Sequence, residues 1–224
     1  MTLNLTTNFG KIEDLEILIA EGFINRQKHP QLDLFIYNYT AQTQYQSAWN
    51  SWTLNCRGLI LNAKYEIVAR PFQKFFNLEE CDNLGIEIQA EVFKVYEKMD
   101  GSLGILYWEN DKPAIATRGS FGSDQAIYAT KNILPKYQDF ISDLDKNYTY
   151  LFEIIYPQNR IVLDYGSQEK LVLLGAIETK NGDEKTIENI NWPDKVKVYH
   201  EINDINELYK HEENNQEGFV VQFE

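Results

Sequence analysis

Tyr96-Glu97-Lys98-Met99-Asp100-Gly101-Ser102-Leu103-Gly104 sets a lysine at the end of an apolar run, follows it with an acid, and then turns on glycine. Glycine permits a tight turn and lets a ligand approach the backbone closely. The lysine offers a cationic contact to phosphate or, once deprotonated, a nitrogen nucleophile. The plain alternative is a hairpin turn carrying a solvated lysine, since Lys-x-Asp-Gly alone arises by chance in roughly one chain in twenty at ordinary residue frequencies. The surrounding sequence has to decide between them.

Working outward, residues 91–96 and 104–108 on either side are aromatic or β-branched at strand density, as are 32–39, 58–61, 66–69, 114–117, 150–156, 170–177, 195–199 and 218–223. Helical spacing is rarer. Ile12, Leu15, Leu18 and Ile19 predict an amphipathic helix stopped near Gly22, Ser123 opens a helix that Pro135 ends, and 205–209 form a short one. Asn181-Gly182 between two strand-like runs predicts a hairpin turn. Many strands with segregated helices predict an α+β fold of antiparallel sheets with flanking helices, not a doubly wound sheet. With no repeat, low-complexity stretch or linker, residues 1–224 read as one domain.

Composition narrows the function classes. Hydrophobic residues at 43% and aromatics at 13% exclude a disordered chain. Cys56 and Cys81 are too few for a disulfide framework and, with three scattered histidines, show no zinc spacing, so buried thiols are expected. No leader-like segment opens the sequence and no apolar stretch is long enough to span a bilayer, which predicts a cytoplasmic protein without a membrane partner. The net charge of −13 argues against tight duplex binding, yet a cleft can focus positive potential where phosphates sit.

The order of the remaining motifs resembles the covalent nucleotidyltransferase superfamily, and within it the phage-type RNA ligase 1 family. The resemblance runs over about residues 52–221. It rests on Cys56-Arg57-Gly58, on Arg70-Pro71-Phe72-Gln73-Lys74-Phe75-Phe76-Asn77, on Lys98 to Gly101, on Thr117-Arg118-Gly119-Ser120, on Leu151-Phe152-Glu153-Ile154-Ile155-Tyr156-Pro157-Gln158-Asn159-Arg160-Ile161-Val162, and on Glu217-Gly218-Phe219-Val220-Val221. The resemblance implies an ATP-grasp-like ligase domain using ATP and Mg2+. Lys98 would take AMP from ATP, pass it to an RNA 5′-phosphate, and free it again when an RNA 3′-hydroxyl seals the strand. The implied ATP-binding residues are Arg57, Lys74, Glu97, Lys98, Gly101, Arg118, Glu153 and Glu217.

The chemistry asks for these residue types. A lysine must lose its proton before it attacks phosphorus, and crowded cations favour that loss while neutralising a triphosphate; Arg57, Lys74 and Arg118 are the candidates. Glu153 and Glu217 fall at strand-like positions, and the resemblance assigns Glu153 chiefly to ribose hydroxyls and Glu217 chiefly to the metal. Phe76 reads as a core aromatic that could also touch the nucleotide. Asp100 either orients Lys98 or caps the turn, and Arg160 makes a salt bridge or an RNA phosphate contact.

In the family a fifth motif of closely spaced lysines contacts the α-phosphate a dozen or so residues after the fourth. This sequence stops seven residues after Glu217, so nothing carries over for that motif or for the family's C-terminal domain. The expectation is a fragment whose fifth motif comes from a C-terminal region or a partner chain. The alternative is a naturally short, nucleotide-binding or regulatory module with little turnover. A DNA ligase or a GTP-using capping enzyme fits the segments around Arg57 and Lys74 less well.

Overall fold

A computed structural model of the chain describes residues 9–85, 92–210 and 216–223. The opening residues 1–5, and the first residue of the strand expected over 91–96, fall outside these. Helix α1 (Ile12–Ala20) forms where the helical spacing predicted it and buries Leu15. Behind it lies an antiparallel sheet of β1 (Ile24–Lys28), β2 (Leu34–Tyr39), β3 (Arg57–Asn62) and β4 (Ile67–Ala69), in that order. A second antiparallel sheet has the order β10-β9-β8-β6-β7, from β6 (Ser102–Glu109), β7 (Lys112–Thr117), β8 (Tyr148–Ile155), β9 (Lys170–Glu178) and β10 (Glu184–Lys185). Between β5 (Phe93–Glu97) and β11 (Phe219–Phe223) runs a third, two-stranded ladder.

Period-two alternation sorts the strands into layers. Leu59 and Leu61 pack outward with Leu15, Ile24 and Trp52, while Ile36 and Ile60 pack inward on Ile105, Ala116, Leu151 and Ile177 of the second sheet. On the far face of that sheet, Tyr150, Phe152 and Ile154 meet Ile133, Tyr137 and Trp192. The result is helix, sheet, sheet, helix, with β5 and β11 at the side where the two sheets part.

One irregularity positions the site. Tyr37 pairs with Leu59 and the next residue, Asn38, pairs with Arg57, so Gly58 is an extra residue bulged out of β3. A bulge inverts the facing of every residue beyond it. Without it Arg57 would share the outward face of Leu59; with it Arg57 faces inward beside Asn38. Gly58 adopts φ +104, and a Cβ there would stand 2.2 Å from Ile105 Cδ1. Gly58→Ala is therefore expected to lower stability by roughly 2–4 kcal/mol through left-handed strain and overpacking, with nucleotide affinity falling alongside. Urea melts and nucleotide titration of the same preparation check both effects.

Three expectations change. The 195–199 run is not a strand: it crosses from the second sheet to β5, making single bridges from Lys195 to Leu173 and from Val198 to Tyr96, and so runs along neither. The helix Asp124–Tyr128, capped by the Ser123 hydroxyl, does not end at Pro135. It widens into a π turn (Ala129–Ile133), tightens into a 3-10 turn (Leu134–Tyr137) and continues through Gln138–Ile141; proline sits in the first turn of a new segment, where its missing N–H is not needed. The π turn lets Thr130 Oγ1 accept from Ile115 N on the edge of β7. Glu217 precedes β11 and lies outside the strand, contrary to its expected position.

The short helices over Ala41–Tyr45, Ser51–Asn55 and Leu78–Leu84 were not legible as apolar periodicity. The first two rest on the Thr40 cap and on the reciprocal Asn50/Thr53 box. Cys56 is buried as expected, and burial raises its thiol well above the usual range, whereas Cys81 is only half-buried. His29 is a buried structural residue: Nδ1 accepts from the backbone of Gln31 and Leu32, and Nε2 meets Glu109 at 2.7 Å.

Candidate functional site

Where the sheets part, a cleft of about 1170 Å³ opens, and all eight residues singled out for nucleotide binding line it. Lys98 follows directly on β5. Its backbone N–H donates to Gly218 O at 3.0 Å and its Nζ to Glu217 Oε1 at 2.5 Å, so the β5–β11 ladder brings residues 119 positions apart into contact. Glu97 closes β5, opposite Phe219. Gly101 then passes beneath β8, where a Cβ would approach Ile154 O to 2.8 Å and Glu153 Oε1 to 3.1 Å. Only glycine lets the turn run this close to the acid.

Glu153 is buried in β8 on the face that Leu151 shows to the first sheet. Burial, reinforced by the neighbouring Glu217, pushes its carboxyl up to about 8, with Arg57 opposing and Asp100 adding to the rise. The folded value lies above the ordinary 4.5, so the folded chain holds an extra proton between those limits. The stability this group contributes is thus complete below pH 4.5 and is lost as pH rises through about 8. Glu153→Gln is expected to match the wild type in urea melts at pH 4 and to exceed it by roughly 5 kcal/mol at pH 9. Equal melts at pH 9 would mean that the carboxylate is compensated in the fold.

The three candidate cations diverge. Arg57 lies with its guanidinium 4.9 Å from the centre of the Phe75 ring, and burial shifts it downward. Arg118 sits in a tight turn in which Thr117 and Ser120 exchange backbone bonds, with its guanidinium over the Tyr39 ring. Lys74, in contrast, is already engaged: its Nζ donates to Phe75 O at 2.7 Å and Glu80 Oε2 at 3.2 Å and lies 4.3 Å from the Phe76 ring centre. Two buried atoms in the cleft walls, Arg57 Nη1 and Asn38 Oδ1, have no hydrogen-bond partner. Each such atom costs about 1–3 kcal/mol when left unmet.

Asp100 neither orients Lys98 nor caps its own turn. At 4% exposed, its Oδ2 accepts from Val162 N and Leu163 N at 2.6 Å each, and its backbone N–H donates to Tyr165 OH. It therefore pins the loop after β8, whose Ile161 and Val162 are each 65% exposed and line the cleft. Ser102 and Asn159 brace the same loop: Ser102 Oγ donates to Asn159 Oδ1, and Asn159 Nδ2 to Ile154 O. Arg160 pairs with Asp164 at 2.9 Å, the salt-bridge alternative. Phe76 packs edge-on against Trp49, whereas its neighbour Phe75 takes the cleft wall. Phe75, Asn38, Ile161 and Val162 were not recognised as wall residues; the only available signal was Asn38, a lone amide within Leu34-Phe35-Ile36-Tyr37-Asn38-Tyr39.

Known proteins are similar to this chain. A family model described as RNA ligase matches residues 55–224. The chain is 30% identical over 221 residues to the "Putative bifunctional polynucleotide kinase/RNA ligase" of Autographa californica nuclear polyhedrosis virus, covering 87% of this chain and 31% of that protein. It is 23% identical over 208 residues to the RNA ligase of Rhodothermus phage RM378, covering 72% and 44%. The chain thus spans less than half the length of these curated relatives. Among solved structures, an archaeal ATP-dependent RNA ligase superposes with a TM-score of 0.55 at 15% identity, covering 97% of this chain and 60% of the other, which establishes a shared fold. No helix among the described residues is long and apolar enough to cross a membrane.

Proposed function

Because the chain belongs to the RNA ligase family, we propose that it carries the nucleotide-activating site of an ATP-dependent RNA ligase, with Lys98 as the nucleophile. The observation that carries this reading is the meeting of Lys98, Arg57, Arg118, Glu153 and Glu217 in one cleft of about 1170 Å³, enough for a nucleotide. Lys98 Nζ forms a bond to the α-phosphorus of ATP while the bond from that phosphorus to the bridging oxygen breaks and pyrophosphate leaves. An RNA 5′-phosphate oxygen then takes the AMP, restoring the lysine, and an RNA 3′-hydroxyl attacks the resulting adenylylated end, releasing AMP.

Arg57 and Arg118 supply positive charge to the phosphates, and Glu153 accepts from a ribose hydroxyl. While Glu217 holds the Lys98 ammonium the nitrogen cannot attack, so this ion pair has to part when nucleotide enters. Among the described residues no group of three or more His, Cys, Asp or Glu side chains could hold a metal alone. Magnesium fits differently, through one or two carboxylates completed by substrate phosphates, and Glu217, which lines the same cleft as Glu153, suits that arrangement as the main ligand. When bound, the ion would offset charge on the departing pyrophosphate.

Incubation with labelled ATP and magnesium, followed by a denaturing gel and mass mapping, tests the reading. AMP is expected on Lys98, and unlabelled GTP is expected to compete poorly. AMP on Lys74 or Lys94 would sink the assignment, and equal labelling by both nucleotides would favour capping-type chemistry.

A further inference from the structure

Among the described residues three buried side-chain atoms lack a hydrogen-bond partner, and two of them, Asn38 Oδ1 and Arg57 Nη1, belong to residues paired directly across β2 and β3. Both residues line the cleft. Buried polar atoms in folded proteins nearly always find partners, so an acceptor and a donor left open on neighbouring side chains mark a place where a ligand supplies both. The third such atom, Trp108 Nε1, belongs to a residue that does not line this cleft.

The polarity of the pair selects the ligand group. Arg57 Nη1 can only donate and Asn38 Oδ1 can only accept, and they do not bond to one another. An ionised phosphate would satisfy Arg57 but has no hydrogen for Asn38. A hydroxyl serves both, accepting from the guanidinium and donating to the amide oxygen. The Phe75 ring lies against the Arg57 guanidinium, and a Cβ placed on Gly119 would come to 3.7 Å from the Asn38 side-chain amide, so the glycine leaves room beside it.

We propose that Asn38 and Arg57 form a subsite for a ribose hydroxyl of the substrate, which makes Asn38 a binding residue for the sugar. The inference rests on the reading of the cleft as a nucleotide-activating site. It adds a second sugar contact to that of Glu153, on the opposite sheet. The hydroxyl can come from ATP or from the RNA end, and two arms of one experiment separate these sources.

In the nucleotide arm, ATP, 2′-deoxy-ATP and 3′-deoxy-ATP are titrated calorimetrically with magnesium into the Lys98→Ala chain, in which no adduct can form, with and without Asn38→Leu or Asn38→Asp. In the RNA arm, a pre-adenylylated strand is sealed under single-turnover conditions to acceptors with or without a 2′-hydroxyl on the terminal nucleotide, using the chain with Lys98 intact. One arm is expected to show about tenfold discrimination against the analogue lacking the hydroxyl. Asn38→Leu leaves the Arg57 contact in place and should cut that ratio by about threefold or more, and Asn38→Asp, which keeps the acceptor oxygen, should preserve it.

Such a fall in discrimination in the nucleotide arm assigns the hydroxyl to ATP, and a fall in the RNA arm assigns it to the RNA end. Discrimination unchanged in both arms, in an Asn38→Leu chain that melts at the wild-type temperature, overturns the proposal, as does a wild-type cleft that discriminates in neither. If Asn38→Leu fails to fold, Asn38→Ala is read in the same way. Failure of the underlying function looks different: the wild type would form no AMP adduct, whatever its preference among the three nucleotides.

Discussion

No AMP should remain on the chain after Lys98→Ala, a loss of at least about 10⁴-fold in adduct formation, because the nucleophile itself is gone. The fold should survive. The lysine is partly exposed, and its pairing with Glu217, also partly open to water, is worth about 0–1 kcal/mol. Lys98→Arg is the sharper form of the experiment. Arginine keeps a cation beside Glu217 but does not deprotonate in proteins, so it should preserve the melting temperature and still give no adduct. An adduct on the Lys98→Arg chain would mean that another lysine reacts.

The second large effect is expected at Asp100. Removing its carboxylate strands the backbone N–H groups of Val162 and Leu163, which share one oxygen, and frees the loop that forms one wall of the cleft. Asp100→Ala should cost roughly 2–4 kcal/mol in stability and slow adenylylation by about 10²–10³-fold through misplacement of the nucleotide. Asp100→Asn retains one acceptor oxygen and should recover much of both. Hydrogen exchange at residues 160–165 distinguishes this role from direct action on the lysine. Unchanged protection there in Asp100→Ala, with the rate still lost, would place Asp100 at the chemistry instead of at the loop.

Much of the site was legible in the sequence because its residues sit in short motifs whose local geometry is self-contained. A strand ending in Lys98 and turning on Gly101, and an acid placed within a strand at Glu153, are the kind of feature that spacing encodes. Partners far apart in the chain were not legible. Nothing local to Asp100 points to amides 62 and 63 positions away, and nothing local to Lys74 shows that Glu80 draws its ammonium toward the helix after it. The fold class followed from strand density, but the π turn at Ala129–Ile133 and the crossing run at 195–199 depend on tertiary neighbours, which override local propensity.

The bulge at Gly58 has a consequence for anyone improving this protein by rational redesign. Deleting Gly58 would regularise β3 and remove a conformationally free glycine at a bulge, the sort of change that commonly raises thermal tolerance. It would also rotate Arg57 out of the cleft and into the apolar layer behind it. A screen that selected variants by heat resistance alone would then favour a sturdier protein with one cation missing from its working surface, so any such screen needs nucleotide binding as a second criterion.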